Sequence, residues 1–371
     1  MSKKYRIELG DSELLVPKLE EKSIHAVVCD NPYGIDLMKL GWDKELPSLK
    51  IWEECFRVLK PGGFLLSFGH VRTYHRLACD LEEVGFKIKD CLCWTYASAF
   101  PHSLDISKAI DKKNNAEREV VGKRIHPTLK NNPNVKSNAY HVETLHSDEN
   151  MESWDITIPA TEEAKTWNGW GTQLKTSWEP IIMAQKPLEG TYVENVLKYK
   201  VGGLNIDECR IPYKDEDDKN SIASFEHFAG KNHGDERYFS ANSGEKKQCN
   251  IHPIGRWPAN LIWLDPLFVE YDHIFMVPKP SKREKGIYNK HDTVKPVELM
   301  ERLIKLVTPR PSIVKEDVVV LDPFMGSGST GVAARNLDRN FIGFEQNEES
   351  FNVAQKRLKE KVRTYRDIFA E

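Results

Sequence analysis

Residues 317–331 read DVVVLDPFMGSGSTG, an apolar strand followed by a glycine-rich turn that opens a helix. The turn matches G-x-G-x-x-G through Gly326, Gly328 and Gly331, and the next apolar run, NFIGFE, ends at Glu345. Glycines let the backbone approach a ligand closely, and a carboxylate after the following strand can accept hydrogen bonds from ribose hydroxyls. The pattern predicts a site for an adenosine-containing ligand. Taken alone, it leaves open a nicotinamide dinucleotide, S-adenosylmethionine, or a turn made only for tight packing.

The position of the turn in the chain discriminates between these alternatives. Only 46 residues, 326–371, run from the first glycine to the last residue, whereas a dinucleotide fold builds both of its halves after this motif. The rest of the sheet must therefore come from the N-terminal part, which predicts a circularly rearranged α/β domain. Asp322 points the same way, because a carboxylate there attracts the amino group of a methionine moiety and repels a pyrophosphate. Both features favour S-adenosylmethionine.

The remainder of the chain supports an α/β fold with an insertion. Apolar strands alternate with amphipathic helices over residues 1–97 and again after about residue 290, which predicts a largely parallel sheet covered by helices. Residues 98–260 are more polar and weakly periodic, although SWEPIIMAQKP suggests a strand near 178–185 that returns to the sheet. We predict two halves of one domain, 1–97 and 261–371, separated by an inserted region over 98–260.

Composition sets limits on partners and environment. Hydrophobic residues make up 40% and charged residues 29% of the 371 residues, and no apolar run approaches a membrane span. The N-terminus lacks the apolar region of a signal peptide, so we expect a cytoplasmic protein without a membrane partner. The odd count of seven cysteines favours a reducing compartment. Cys91 and Cys93 are more typical of strand packing than of metal binding, and no metal site is predicted.

A local basic stretch offers a candidate surface for nucleic acid. The net charge is −3, but residues 123–141 contain four basic residues and no acidic one. Phosphate binding needs a basic patch rather than a basic protein, although a charge run of this kind is also typical of an ordinary solvated surface. The candidate phosphate contacts are Lys123, Arg124, Lys130 and Lys136.

A second motif, DNPYG over residues 30–34, follows the apolar run IHAVVC. The carboxylate of Asp30 and the backbone carbonyl of Asn31 can each accept a hydrogen bond from an amino group, which would turn the nitrogen lone pair towards a methyl donor. Tyr33 can stack on a base rotated out of the duplex, and Pro32 keeps Asn31 extended. The alternative is an ordinary strand-to-turn transition, for which these residue types are common.

Four motifs in one order resemble the amino-methyltransferases of DNA. DPFMGSGSTGVAA resembles their S-adenosylmethionine motif D-P-F-x-G-S-G-T, and DNPYG resembles their D-P-P-Y. Gly10-Asp11-Ser12 resembles the short motif at the cofactor adenine, and HDTVKPVELMERLI resembles H-P-T-x-K-P-x-x-L-x-x-x-L-I. The order, with the cofactor motif last, is similar to the β class. The phrases WNGWGTQLKTSWEPIIMAQKP and GRWPANLIW look like phage and prophage methyltransferases, so the resemblance covers nearly the whole chain.

The resemblance implies a Rossmann-like methyltransferase fold, with S-adenosylmethionine as cofactor and double-stranded DNA as substrate. It also implies a location in the cytoplasm of a bacterium or phage-infected host, and it is compatible with a homodimer. The residues implied to hold the target base are Asp30, Asn31, Pro32 and Tyr33. The residues implied to bind the cofactor are Asp11, Thr293, Lys295, Asp322, Phe324, Gly326, Gly328 and Glu345. Recognition of DNA is expected within residues 98–260, where we expect Trp167, Trp170 and Trp178 to pack in a core. Asn31 and Asp292 stand where the family usually has Pro, which leaves a catalytically impaired homologue open.

The first residue of the catalytic motif bears on the target base. An Asp there resembles adenine methyltransferases, whereas cytosine amino-methyltransferases of this arrangement usually begin with Ser, so N6 of adenine is favoured over N4 of cytosine. Methylation of a cytosine carbon requires a thiol nucleophile in a Pro-Cys pair, and the sequence contains no Pro-Cys dipeptide. An RNA or small-molecule methyltransferase and a non-catalytic DNA- or cofactor-binding protein are the remaining alternatives.

Overall fold

The computed structural model describes most of the chain in two compact units. One unit comprises Met1–Ala97 and Trp178–Glu371, and the other comprises Ser98–Ser177. The described residues are 5–36, 41, 43–96, 103–125, 153–213, 215–216, 219, 252–263, 275–276, 280, 285, 289 and 294–360.

The first unit is built on a nine-stranded sheet. Its strands are β1 (Tyr5–Leu9), β2 (Ile24–Cys29), β3 (Leu59–Phe68), β4 (Lys87–Thr95), β7 (Trp178–Gln185), β8 (Leu261–Trp263), β9 (Phe275–Met276), β10 (Val319–Asp322) and β11 (Asn340–Glu345). Its helices are α1 (Ser12–Leu15), α2 (Leu49–Val58), α3 (Tyr74–Val84), α6 (Tyr192–Tyr199), α7 (Val297–Val307), α8 (Pro311–Val314), α9 (Ser329–Asn336) and α10 (Glu348–Lys359). The second unit contains the paired strands β5 (Val120–Ile125) and β6 (Ser153–Thr157) with helices α4 (Ile106–Lys113) and α5 (Glu162–Thr166).

The strand order interleaves the two ends of the chain. The order is β1-β11-β10-β2-β3-β7-β4-β8-β9, so the last two strands lie between the first two. From β1 to β3 every neighbouring pair is parallel, whereas β7 runs antiparallel to both β3 and β4. This arrangement confirms the predicted circularly rearranged α/β domain. The strand expected near 178–185 is β7, and it lies inside the main sheet.

Local sequence accounts for the elements that surround the site. All six residues of β2, IHAVVC, are buried, as expected for a strand in the middle of a covered parallel sheet. Helix α2 buries a stripe that includes Trp52 and Cys55 against the sheet. Gly85 ends α3 in the left-handed conformation, at a φ of 111°. Asn347 caps α10 by accepting a hydrogen bond from the Ser350 amide.

The second unit is organised around a buried carboxylate. Asp111, which is 1% exposed, accepts hydrogen bonds from the Ala160 and Thr161 amides and from the Arg118 guanidinium. Burial opposes ionisation of Asp111, but these hydrogen bonds outweigh it and lower its pKa to about 2. The compact unit ends at Ser177, within the inserted region expected to reach residue 260.

The expectation that three tryptophans form a core was wrong for two of them. Trp167 and Trp170 are 41% and 59% exposed, and their ring centroids lie 5.1 Å apart. Trp178 belongs to the first unit, where its ring lies 6.1 Å from that of Tyr74. Within the described ranges, none of the helices combines the length and apolar character needed to cross a lipid bilayer.

Replacing Gly331 with Ala is expected to destabilise the first unit by about 1–3 kcal/mol, because overpacking a core forces its neighbours to move. A Cβ at Gly331 would lie 2.6 Å from the Phe341 ring and 3.0 Å from Leu358. Urea denaturation without cofactor measures the change. Gly203→Ala is the matched control, since a Cβ there meets nothing within 4 Å. Equal stability of the two variants would contradict the packing argument.

Candidate active site

The carboxyl ends of the parallel strands surround one large cavity. Strands β1, β2, β10 and β11 all end at this edge of the sheet, which is where open α/β sheets bind ligands. The cavity has a volume of about 620 Å³. Its wall brings together residues of all four sequence motifs, namely Gly10, Asp11, Asp30, Asn31, Pro32, Tyr33, Lys295, Asp322, Phe324, Gly326 and Glu345.

The glycine turn forms one wall of the cavity. Gly326 and Gly328 have φ angles of 52° and 82°, a region that favours glycine. The Gly326 amide donates to Glu345 Oε2 at 2.7 Å, which ties the turn to the end of β11. Gly328 lies behind this wall, where a Cβ would come within 3.0 Å of Ala354 Cβ. Gly326 therefore shapes the wall, whereas Gly328 lets α10 pack closely behind it.

Asp322 presents a buried carboxylate at the end of β10. It is 2% exposed, and it accepts hydrogen bonds from the Thr330 hydroxyl at 2.6 Å and from the Phe324 amide at 3.0 Å. Burial raises its pKa to about 7, although both hydrogen bonds act in the opposite direction. A cationic group placed beside Asp322 would restore the charged form.

Two further acids line the same cavity. Glu345 accepts from the Gly326 amide and, at 2.8 Å, from the Asn347 amide, and these bonds fix the orientation of its carboxylate. Asp11 caps α1 by accepting from the Glu13 amide at 2.9 Å. Each carboxylate oxygen has more than one lone pair, so both acids keep capacity to accept hydrogen bonds from a ligand.

The DNPYG turn brings a second group of side chains to the rim. The Tyr33 hydroxyl lies 2.7 Å from Asp30 Oδ1, and Lys295 Nζ lies 2.7 Å from Asp30 Oδ2 and 3.0 Å from the Tyr33 oxygen. The Lys295 side chain is 6% exposed and that of Asp30 is 22% exposed. Lys295 also accepts a hydrogen bond at its backbone carbonyl from Ser329, at the start of α9. Lys295, predicted at the methionine end of a cofactor, therefore contacts the DNPYG residues with its ammonium group.

Asn31, which departs from the family pattern, turns its side chain into the protein. It is 3% exposed, its Oδ1 accepts a hydrogen bond from the Ser67 hydroxyl of β3, and its Nδ2 donates to the Pro32 carbonyl at 2.9 Å. These bonds hold the backbone at residue 31 from two sides. The amide side chain thus restrains the segment where the family has the rigid ring of proline.

Two residues that sequence reasoning missed hold the same turn. The Asp43 carboxylate, 1% exposed, accepts hydrogen bonds from the amides of Tyr33 and Gly34. The Thr73 hydroxyl donates to the Tyr33 carbonyl at 2.7 Å. Asp43 lies in a loop without a motif of its own. The only indication in the sequence was the tight DNPYG turn, whose backbone amides need hydrogen-bond acceptors such as a carboxylate.

A third missed residue, Glu179, lies at the start of β7. Its Oε2 is 3.0 Å from the Tyr33 hydroxyl and 3.3 Å from Lys295 Nζ. Because β7 is antiparallel to its neighbours, its first residues lie at the edge where the parallel strands end. In the sequence, Glu179 is recognisable only as an acid at the start of a strand predicted to return to the sheet. To place it at the site one also needs the direction of that strand, which the sequence does not give.

Some predicted site residues lie elsewhere. Lys123 is exposed on β5 in the second unit, and Arg124 is on the same strand. Thr293, Lys130 and Lys136 lie outside the described residues.

The chain belongs to the DNA methylase family of N6 and N4 methyltransferases, whose model matches residues 24–356. It is accordingly a site-specific DNA methyltransferase that depends on S-adenosylmethionine. The Type II methyltransferase M.HindIII of Haemophilus influenzae is 26% identical over 94% of this chain and 93% of the relative. M.BglI of Bacillus subtilis is 25% identical over 96% and 86%, respectively. Among solved structures, the M1.HpyAVI–SAM complex is 18% identical, with a TM-score of 0.44 and coverage of 95% and 100%.

The residues of the cavity fit this cofactor. The volume of the cavity, about 620 Å³, lies within the range of small-molecule sites. S-adenosylmethionine carries a sulfonium and an amino group, both cationic, and the buried carboxylate of Asp322 offers the opposite charge. Glu345 and Asp11 supply acceptors for hydroxyl and amino groups.

Replacing Asp322 with Asn should stabilise the cofactor-free protein at alkaline pH. Folded Asp322 holds its proton up to about pH 7, whereas the unfolded chain releases it near pH 4, so ionisation makes wild-type stability fall over that interval. Asn removes the charge; its Oδ1 can still accept from the Phe324 amide, and its Nδ2 can donate to the Thr330 hydroxyl in place of the bond that Asp322 accepts. The stability gap in favour of the variant should widen by about 1–3 kcal/mol between pH 5 and pH 8 in urea denaturation. Asp317→Asn, at an exposed position, is the control, and a gap independent of pH would contradict the assignment.

Proposed function

We propose that the enzyme methylates the N6 amino group of adenine in double-stranded DNA, with the base rotated out of the duplex. The observation that carries the proposal is that Asp30 and Tyr33 line the same cavity as Asp322 and Glu345. A hydrogen-bond acceptor for an amine and carboxylates for a cationic methyl donor thus share one space. The resemblance of a motif that begins with Asp to adenine methyltransferases supports adenine over N4 of cytosine.

In the proposed mechanism, the protein orients the amine and receives its proton. An exocyclic amine is a poor nucleophile because its lone pair is delocalised into the ring. The Asp30 carboxylate and the Asn31 backbone carbonyl accept the two N–H groups, which directs the lone pair away from the ring plane and towards the methyl group. Tyr33, behind Pro32, stacks on the base. The bonds from Asn31 to Ser67 and Pro32 support an active rather than an impaired enzyme, because they keep this segment rigid.

The cofactor residues follow from the charges around the cavity. S-adenosylmethionine supplies a methyl group on a sulfonium sulfur. Asp322 pairs with its amino group, Glu345 accepts from the ribose hydroxyls, and Asp11 accepts from the adenine. We further assign Thr293, Lys295, Phe324 and Gly326 to this site, with Gly328 supporting the glycine turn from behind the cavity wall.

DNA recognition is proposed for the region over 98–260, and the phosphate contacts are proposed to include Lys123, Arg124, Lys130 and Lys136. The exposure of Lys123 on β5 supports its place in this set. The exposed pair Trp167 and Trp170 offers aromatic surface in the same region. We also propose that the enzyme works in the cytoplasm, where its DNA substrate is, and that it forms a homodimer like β-class relatives.

Sequencing DNA that retains its modifications tests the reaction and the base together. A host without methyltransferases of its own expresses either wild type or Asp30→Ala. We expect N6-methyladenine at one short sequence motif with wild type, and a loss of about 100-fold or more with Asp30→Ala, because the amine loses an acceptor and a base. N4-methylcytosine would overturn the choice of adenine. Unmodified DNA from a host that contains folded, cofactor-binding enzyme would overturn the catalytic proposal.

Replacing Lys123 with Ala should weaken DNA binding in a salt-dependent way. Each lost phosphate contact lowers the slope of log affinity against log salt by about 1. Fluorescence anisotropy with a duplex at several salt concentrations measures the slope. Lys165→Ala is the control, because the Lys165 ammonium already pairs with Glu162 at 2.7 Å. Unchanged affinity and slope for Lys123→Ala would remove this residue from the proposed interface.

A further inference from the structure

Glu179 occupies a position in the site that neither the family motifs nor the proposed mechanism uses. It is the second residue of β7, paired in register with β4 at Trp94, and its side chain is 13% exposed. A carboxylate this deep needs partners, since an unpaired buried charge is costly. The partners present are Tyr33 of the catalytic turn, Lys295 of the segment before α7, and Tyr96, which follows β4 and hydrogen-bonds to Glu179 through its side chain.

Two donors are shared between Glu179 and Asp30. The Tyr33 hydroxyl lies 3.0 Å from Glu179 Oε2 and 2.7 Å from Asp30 Oδ1. Lys295 Nζ lies 3.3 Å from Glu179 Oε2 and 2.7 Å from Asp30 Oδ2. Both donors are thus closer to Asp30, with Glu179 as the second acceptor. The Tyr33 hydroxyl has a single proton, so it can donate fully to only one carboxylate at a time.

The target amino group would compete with these two donors for the Asp30 carboxylate. Each Asp30 oxygen keeps a lone pair for the amine, but sharing the carboxylate with a further donor weakens its bonds to Tyr33 and Lys295. The Lys295 ammonium is 6% exposed, so water cannot replace the lost partner fully. Glu179 is already within reach of both donors and needs only small movements to receive them.

The charge of Glu179 matters as well as its position. Asp30 and Lys295 alone form a neutral pair, whereas addition of Glu179 gives the group a net charge of −1 at neutral pH. Methyl transfer moves positive charge onto the amino nitrogen, and a net negative environment stabilises that change. Burial lowers the pKa of Lys295, but the two carboxylates together raise it above its usual value, so the ammonium stays charged.

We propose that Glu179 is a positioning residue: it receives the Tyr33 hydroxyl and the Lys295 ammonium when Asp30 binds the target amino group, and it keeps the site negative during methyl transfer. This inference rests on the proposed function, in which Asp30 is the acceptor for the amine. In that step a bond forms between the amino nitrogen and the methyl carbon while the carbon–sulfur bond breaks, with its electron pair going to sulfur. The nitrogen then gives one proton to the Asp30 carboxylate.

The test compares Glu179→Gln with wild type in single-turnover methylation of a duplex that carries the sequence motif found by modification sequencing. Gln keeps an acceptor oxygen and removes the charge. We expect the rate to fall about 10- to 100-fold, with S-adenosylhomocysteine affinity little changed. The acidic limb of the pH–rate profile should move to lower pH, because the Glu179 charge raises the pKa of Asp30 and its removal reverses that effect.

A double variant distinguishes the effect of the net charge of the site from an effect of Glu179 on folding. Lys295→Met combined with Glu179→Gln removes one positive and one negative charge, which returns the net charge of the group to −1. We expect the double variant to be faster than Glu179→Gln alone. Glu316→Gln is the control for loss of a lysine-paired acid, because Glu316 lies 3.0 Å from Lys60 at the beginning of β10, the opposite end from Asp322. Its rate should equal that of wild type.

Each result decides between the alternatives. A wild-type rate for Glu179→Gln would overturn the proposal, and so would a slow rate with an unmoved acidic limb and no recovery in the double variant, because those describe a structural residue. If Glu179→Gln does not fold, Glu179→Asp, which keeps the charge but shortens the side chain, replaces it. A slow rate with a wild-type free energy of unfolding is expected, and either a wild-type rate or a slow rate with a matching loss of stability would overturn the proposal. Loss of the proposed function is distinct, since it would appear as full methylation by Asp30→Ala.

Discussion

The ammonium group of Lys295 lies between two carboxylates, 2.7 Å from Asp30 and 3.3 Å from Glu179. Transfer of three charged groups out of water is costly, and only close mutual pairing repays that cost. The partners come from the end of β2, the start of β7 and the segment before α7, which are far apart in the chain. Removal of Lys295 would leave two carboxylates without a counter-charge, whereas removal of either acid would leave a neutral pair. The same network that prepares the site therefore also fixes the relative placement of these elements.

Asp322 has opposite effects on the stability of the empty protein and on the proposed binding of the cofactor. Its carboxylate is buried beside the cavity, and its raised pKa means that the folded protein ionises it with difficulty. A protein selected for stability alone would place a neutral residue here. The acid is useful only when a cationic ligand lies beside it, so cofactor binding would relieve a cost built into the empty site. Binding and stability are thereby coupled through one side chain.

Much of the fold could be predicted because its signals are local. Alternating apolar runs gave the strands and helices, and the glycine turn before α9, with only one strand after it, required the two ends of the chain to share a sheet. Strand direction is not local, so Glu179 could not be assigned to the site from its place in SWEPIIMAQKP. The contact of Asp43 with the DNPYG turn depends on how a loop folds back. The exposure of Trp167 and Trp170 depends on tertiary surroundings, which residue type alone does not determine.

The interleaved strand order also has a consequence for biosynthesis. Strands β1 and β2 are not neighbours in the sheet, because β10 and β11 lie between them. While the ribosome is still making the middle of the chain, the first two strands have exposed edges and no partners on their facing sides. The gap closes only when residues through Glu345 have emerged, and the carboxylates around the cavity assemble in the same event. A nascent chain thus gains its methyl-donor site only after Glu345 has emerged, and a product truncated before β10 would have neither a closed sheet nor that site.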